Sequence, residues 1–126
     1  MAIRDMLKDH EDDLNVDALA KAIEALIDCA AHCNACADAC LEEDMDMTRC
    51  IRACVDCADI CDATASVIAR AGASGAPWLD LVRVCADACA NCADECDSHD
   101  HDHCKVCAEA CRKCEQACRA LLDAAA

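Results

Sequence analysis

Residues 29–40 have the sequence CAAHCNACADAC, in which the cysteines follow one another at steps of four, three and four residues. Alternating steps of three and four place all members of such a run on one stripe of an α-helix. The same spacing recurs at residues 50–61 and 85–96, and a fourth run of five cysteines occupies residues 104–118. In a helical bundle the equivalent stripe normally carries leucine and faces the other helices. The sequence therefore predicts four helices whose shared core is lined by cysteine.

The fold class predicted from this pattern is all-α, namely an antiparallel up-down-up-down four-helix bundle with a cysteine-lined core and a short N-terminal extra helix. The long helices are expected at residues 16–42, 48–71, 77–97 and 102–123. The length suits a single four-helix-bundle domain, residues 1–126, in which residues 1–14 form an N-terminal extension.

Local signals predict where these helices begin. Asn15 or Asp17 is expected to cap the first long helix, and Asp46 or Thr48 the second. Pro77 suits the first position of the third, because proline tolerates the first turn and the preceding segment contains a glycine-rich break. The extra helix is expected within residues 2–11, with one side formed by Ile3, Met6, Leu7 and His10.

Setting the four runs side by side in antiparallel order predicts layers of four residues across the core. The cysteine layers are Cys40/Cys50/Cys96/Cys104, Cys36/Cys54/Cys92/Cys107, Cys33/Cys57/Cys89/Cys111 and Cys29/Cys61/Cys85/Cys114. Continuing the register gives a dry end formed by Leu26, Thr64, Val82 and Cys118, and then Ala22, Ile68, Trp78 and Leu121. The opposite end extrapolates to Glu43, Met47, His99 and Asp100, and its loops also carry Met45, His101 and His103. We expect that end to be open and lined with potential metal ligands.

Charge and composition exclude several classes of function. A net charge of −15 leaves no basic surface for nucleic acid or for an anionic membrane. No apolar run approaches the roughly 18 residues that a transmembrane helix needs. Residues 1–10 lack the apolar segment and cleavage site of a signal peptide, so we expect a cytoplasmic protein. Since cytoplasmic thiols are kept reduced, 17 cysteines indicate metal binding rather than disulfides.

Among soft metals, Cu(I) fits the predicted arrangement of sulfur better than zinc. Cysteines at i and i+4 have Cβ atoms about 5–6 Å apart, which suits a metal held between two thiolates. Zinc requires four tetrahedral ligands, and one helix face cannot supply them. About one Cu(I) per cysteine would neutralise the buried thiolates, whereas zinc bound by four thiolates leaves about two negative charges per ion. The predicted ligands are therefore the 17 cysteines, joined at the open end by His99, His101, His103 and Met47.

Other interpretations stay open. Residues 99–103 also suit a polar turn, Met45 and Met47 also suit loop packing, and His32 flanks a cysteine without an assigned role. The alternative function is zinc or mixed soft-metal buffering. Iron–sulfur clusters are usually held by cysteines on loops, and a ferritin-like di-iron enzyme needs Glu-x-x-His, which the sequence lacks. We expect no enzyme activity.

The repeated Cys-x3-Cys-x2-Cys-x3-Cys runs on four helices, with histidines between the third and fourth, closely resemble the bacterial copper storage proteins over about residues 15–122. The resemblance implies a cytosolic store of many Cu(I) ions, filled through one open end, in a homotetramer of bundles. A copper chaperone or a small thiol chelator would supply the metal. The resemblance also implies Cu(I) held mainly by the pairs Cys29/Cys33, Cys36/Cys40, Cys50/Cys54, Cys57/Cys61, Cys85/Cys89, Cys92/Cys96, Cys107/Cys111 and Cys114/Cys118, with Cys104 at the open end.

Overall fold

The computed structural model of the protein describes residues 2–72 and 77–125, which are built from helices with no strand among them. The chain forms a short helix α1 (Ile3–Leu7), a 3₁₀ turn (Lys8–His10) and four long helices, α2 (Val16–Cys40), α3 (Thr48–Ile68), α4 (Trp78–Asp97) and α5 (Asp102–Ala125). Helices α2 and α4 each pack against both α3 and α5, so the long helices form a ring of four. Connections of a few residues make neighbours antiparallel. The predicted all-α four-helix bundle with a short N-terminal helix is confirmed.

Side-chain caps fix the beginnings of α2 and α3. The Oδ1 atom of Asn15 accepts a hydrogen bond from the backbone N–H of Ala18 at 3.0 Å, which identifies Asn15 as the N-cap of α2. Asp46 accepts hydrogen bonds from the backbone N–H of Thr48 at 2.9 Å and from its hydroxyl at 2.6 Å. Met47 occupies the N-cap position of α3 without a side-chain bond. Asp46, the residue before the N-cap position, therefore provides the side-chain acceptor for the first residue of α3, Thr48.

Two helices end earlier than the sequence predicts. Helix α2 stops at Cys40 rather than at residue 42, because the next residues form tighter hydrogen bonds to carbonyls three positions back. Helix α3 stops at Ile68 rather than at residue 71, because Ala71 and Gly72 adopt left-handed φ angles of 54° and 71°. At Gly72 an added Cβ would also lie 2.8 Å from the Cδ1 atom of Trp78, so this turn requires glycine.

The other boundaries are close to those predicted. Pro77 lies at the N-cap of α4, just outside the helix rather than at its first position. Helix α5 extends to Ala125 rather than ending at residue 123. Part of the predicted glycine-rich break falls on residues 73–76, outside the described residues.

The N-terminal segment is tied to the bundle through α1. Leu7 is buried in the core, with 2 % of its surface exposed, and Ile3 packs beside it. Met6, expected on the same side, is 78 % exposed, because a helix of five residues turns only Ile3 and Leu7, four positions apart, towards the bundle. Arg4 forms ion pairs with Glu11 at 3.3 Å and with Asp17 at 2.5 Å.

Aliphatic side chains close one end of the core, and sulfur fills most of the rest. Leu26, Ile68, Val82 and Leu121 are buried at the closed end, and Trp78 packs partly buried against them. This arrangement confirms the dry end expected from the cysteine register. Within residues 2–72 and 77–125, no helix combines the length and the apolar character that crossing a bilayer requires.

Candidate metal centre

The 17 cysteines are free thiols, all of them buried, and they run along the axis of the bundle. We call this set of 17 side chains the sulfur column. Its Sγ atoms are in contact with one another both along a helix and between helices. Cys29 and Cys33, four residues apart on α2, have Sγ atoms 3.9 Å apart, and Cys33 lies 3.6 Å from Cys111 on α5. The column is therefore continuous rather than divided into separate sites.

The sulfur atoms interleave more than flat layers of four would allow. Contacts within a predicted layer do occur, such as Cys57 to Cys89 at 3.8 Å and Cys54 to Cys92 at 3.8 Å. Cys89 also lies 3.7 Å from Cys61 of the next layer. Steps of three and four residues correspond to about 4.5 and 6 Å of helix rise, so a small axial shift places one sulfur between two of its partner helix.

Several groups of cysteines are close enough to share one metal ion, with all Sγ atoms within 4.8 Å of one another. Five of these groups are Cys29/Cys61/Cys89/Cys114, Cys29/Cys33/Cys57/Cys111, Cys33/Cys92/Cys107/Cys111, Cys36/Cys50/Cys54/Cys96 and Cys36/Cys40/Cys50/Cys104. Cys29, Cys33, Cys36, Cys50 and Cys111 each belong to two of the five. These groups cannot all act as independent four-thiolate sites, and shared sulfurs would have to bridge neighbouring ions.

The pKa values of the thiols near the open end are shifted in different directions. Burial raises the pKa of Cys40 to about 12 and is the largest cause raising the pKa of Cys104. The pKa of Cys36 is raised by its hydrogen bond with Cys107, but bonds from other thiols and from His103 outweigh this and lower it to about 6. Cys36 is therefore the thiol of this end whose pKa is shifted towards the thiolate, which is the form that binds metals.

The open end is formed by the loop between α2 and α3, the loop between α4 and α5, and the first turn of α5. Met47 is buried there, with 3 % of its surface exposed, and packs on the column. The Nδ1 atom of His103 lies 3.4 Å from the Sγ atom of Cys36 and 3.6 Å from that of Cys104. His103 therefore joins the loops to the sulfur column, as the adjacent positions of residues 103 and 104 suggest.

The three histidines of this end form a row in which each ring is held by a carboxylate. The rings of His99 and His101 stack with centroids 6.3 Å apart, and those of His101 and His103 with centroids 5.5 Å apart. The Nε2 atom of His99 is hydrogen-bonded to Glu95 at 2.9 Å, and that of His103 to the Oε1 atom of Glu43 at 3.1 Å. The Nε2 atom of His101 lies 2.8 Å from the Oε2 atom of Glu43. The structure thus brings together all three histidines expected at this end.

The family model described as Csp, copper storage protein, matches residues 15–123, which include the whole sulfur column and the histidine row. The chain belongs to the copper storage protein family. The resemblance noted from the cysteine spacing is therefore confirmed, and the described fold agrees with it.

Two solved structures and one further bacterial protein are similar to this chain over most of their own length. The structure of apo-Csp3, copper storage protein 3, from Bacillus subtilis is 40 % identical, with a TM-score of 0.69, covering 82 % of this chain and 97 % of its own. The Cu(I)-bound copper storage protein BsCsp3 is 40 % identical, with a TM-score of 0.72, covering 83 % and 98 %. The cysteine-rich protein YhjQ of Bacillus subtilis (strain 168), described as uncharacterized, is 42 % identical over 102 residues, covering 79 % of this chain and 91 % of its own.

The sequence analysis of this copper storage family member missed one acidic residue of the site, Glu95, and the bonds of a second, Glu43. Glu95 lies in the last turn of α4, four residues before His99, which follows the end of that helix; this spacing predicts a contact and was not used. Glu43 was placed at the open end by register alone, but its bonds to His101 and His103 join residues about 60 positions apart. Nothing in the sequence signals those bonds.

Two other candidates lie apart from the column. Met45 is 54 % exposed, so its side chain faces solvent and is not packed within the loop. The Nδ1 atom of His32 bonds to the carbonyl oxygen of Asp28 at 2.8 Å, which raises the pKa of His32. His32 therefore lies on the outside of α2, and its neighbour Cys33 lies within.

Proposed function

We propose that this protein stores Cu(I), holding roughly one ion per cysteine within a single domain that spans the chain. The observation that carries the proposal is the sulfur column: 17 buried free thiols in mutual contact, from Cys104 at the open end to Cys118 at the closed end. A purely structural core needs no such excess of sulfur, because leucine and valine pack as well. The Cu(I)-bound form of the related BsCsp3 supports the choice of metal.

The geometry of the column suits a metal with few ligands. Two metal–sulfur bonds of roughly 2.3 Å laid end to end span about 4.6 Å. The Sγ atoms of Cys29 and Cys33 and of Cys57 and Cys61 are 3.9 Å apart, so small side-chain rotations suffice to admit an ion between them. Cu(I) accepts two or three thiolates and prefers soft ligands. Each i, i+4 pair on one helix can therefore clamp one Cu(I).

Charge favours Cu(I) over zinc as the main cargo. Because five cysteines each belong to two candidate quartets, filling the column with zinc would require bridging sulfurs and would still leave negative charge in a dry core. One monovalent ion per thiolate leaves the core neutral. Zinc or mixed-metal buffering is the alternative function, and the identity of the metal bound by the protein distinguishes it from copper storage.

The difference between the two ends supports a route for the copper, and the free thiols support a location. The closed end is filled by Leu26, Ile68 and Val82, whereas the open end carries the histidine row and Met47, so copper is loaded through the open end. Thiols kept free require a reducing compartment, which favours the cytoplasm. A copper chaperone or a small thiol chelator is the expected donor. Storage requires binding and release of copper and no catalysed reaction, so the proposed role is that of a store rather than an enzyme. The homotetramer implied by the family resemblance stays a prediction.

Anaerobic titration of the reduced, metal-free protein with Cu(I), in the presence of a chromophoric Cu(I) chelator, tests this function. We expect chelator colour to appear only after roughly as many ions as cysteines have been added. Saturation with fewer than half as many ions as cysteines would contradict the storage capacity. A parallel titration with zinc should saturate much earlier, and a zinc capacity equal to that for copper would favour the buffering alternative.

A further inference from the structure

Glu43 holds two imidazole rings at the open end with a single carboxylate. Its Oε2 atom lies 2.8 Å from the Nε2 atom of His101, and its Oε1 atom lies 3.1 Å from the Nε2 atom of His103. The two rings are stacked with an interplanar angle of 4°. The side chain of Glu43 is about one quarter exposed, so these bonds are partly shielded from water. One carboxylate therefore fixes both the orientation and the spacing of the two rings.

The bond to Glu43 determines which nitrogen of His101 carries hydrogen. An ionised carboxylate only accepts hydrogen bonds, so the Nε2 atom of His101 must be the protonated one. In the neutral ring the lone pair then lies on Nδ1. That Nδ1 atom is buried and has no hydrogen-bond partner among the described residues. A protonated Nδ1 would be an unsatisfied buried donor, so the Nε2–H tautomer is the favoured one.

We propose that Glu43 is a positioning residue, which keeps His101 in the Nε2–H tautomer so that the buried Nδ1 lone pair receives Cu(I) at the open end. This inference rests on the proposed storage function and adds a role for a residue that binds no copper itself. Carboxylates that hold the distal nitrogen of a metal-binding histidine act in the same way at many metal sites.

The stacking of the rings gives the ion a short path into the column. From His101, the next ring is His103, whose centroid is 5.5 Å away. The Nδ1 atom of His103 is already in contact with the Sγ atoms of Cys36 and Cys104. Cu(I) can therefore pass by ligand exchange from nitrogen to sulfur, with no change in oxidation state.

The variant Glu43→Ala tests the role of the carboxylate by removing both of its acceptor oxygens. The Nε2 atom of His101 is then left to water, which can donate or accept, so nothing fixes the hydrogen on that atom. Glu43→Gln is the conservative variant, because its NH2 group can face His103, whose Nδ1–H can donate to sulfur, while its oxygen still accepts from His101. Glu42→Ala is the matched control, because it removes the same charge from the exposed neighbouring position.

Two measurements on these variants separate positioning from a structural role. Nitrogen-15 NMR of the metal-free protein reports the tautomer of His101 directly. We expect the Nε2–H form alone in the parent protein, in Glu42→Ala and in Glu43→Gln, and a mixture of the two tautomers in Glu43→Ala. Stopped-flow uptake of Cu(I) should slow by roughly tenfold in Glu43→Ala, with unchanged capacity and helix content, and Glu43→Gln should recover part of the rate.

The inference is overturned if the parent protein shows the Nδ1–H form, or if Glu43→Ala loads as fast as Glu42→Ala. A parent protein that takes up no Cu(I) would overturn the storage function and the copper step with it. The tautomer measurement, made without metal, would still show whether Glu43 sets the state of His101, so the two failures are distinguishable.

Discussion

At the scale of the residue, cysteine serves this core in two chemical forms. The protonated thiol is a small hydrophobic group, so the metal-free column can pack as an ordinary core. The thiolate is a soft metal ligand, and the same side chains can then bind copper without a change of fold. The helical period predicts which cysteines are buried, and all 17 are. It does not predict which sulfurs touch, since contacts such as Cys33 to Cys111 depend on the axial shift between helices.

Removing two adjacent sulfurs should lower capacity without unfolding the bundle. We expect the double variant Cys33→Ala, Cys36→Ala to bind a few Cu(I) ions fewer than the parent, because each of these sulfurs belongs to two candidate quartets. Helix content should be unchanged, since alanine is a strong helix former. Cu(I) titration and circular dichroism check both points. The control, Asn34→Ala with Ala35→Ser, alters exposed positions of the same turn, and an equal loss of capacity there would contradict the column.

The ionisation of His103 should report its place beside the column. The hydrogen bond with Cys36, followed by that with Glu43, raises the pKa of His103 above its ordinary value of 6.5. Because the folded pKa is raised, protonation of His103 stabilises the fold below pH 6.5, and this contribution is lost as the pH rises through the folded pKa. NMR titration of the metal-free protein should give a midpoint above 6.5 that falls in Cys36→Ala. A parent midpoint at or below 6.5 would show that the contact is not formed.

At the scale of the element, the long helices were predictable because the helical spacing of the cysteines and the capping side chains indicate the same segments. The beginnings of α2 and α3 follow from side chains within a few residues, Asn15 for α2 and Asp46 for α3. The end of α3 was not predictable, because Ala71 adopts a left-handed φ of 54°, which alanine rarely does and no motif signals. Helix ends that depend on backbone turns rather than on capping side chains are those that the sequence misplaced.

The cap at Asn15 should contribute measurably to stability. We expect Asn15→Ala to lower the free energy of unfolding by about 1 kcal/mol, because the first turn of α2 loses the acceptor for the N–H of Ala18. Urea unfolding of the reduced, metal-free protein measures this. Asn34→Ala, an exposed asparagine within the same helix, is the control and should be neutral or slightly stabilising. Equal effects of the two substitutions would mean that the cap is not formed in solution.

At the scale of the whole molecule, the bundle separates a neutral interior from an acidic exterior. The net charge is −15, and the sulfur column lies out of contact with solvent. A cargo that introduced net charge into the column would carry the free-energy cost of desolvating that charge. Cu(I) that replaces one thiol proton per cysteine introduces no net charge. The two ends of the bundle also differ, with aliphatic side chains filling one and histidines at the other, which agrees with the proposed loading from the histidine end.

Loading with copper should therefore leave the net charge of the protein nearly unchanged. We expect about one proton released per Cu(I) bound in a pH-stat titration, and an electrophoretic mobility under native conditions close to that of the metal-free form. Zinc in four-thiolate sites should release about four protons per ion and make the protein more negative. Mobility that increases steadily with added Cu(I) would show that the column is not electrically balanced.

Diffraction at the copper absorption edge, from crystals of protein loaded with Cu(I), tests the central claim most directly. The account predicts anomalous peaks inside the bundle, along its axis, roughly as numerous as the cysteines and bonded to their Sγ atoms. Copper found only on the outer surface, or column cysteines joined to one another as disulfides, would contradict it.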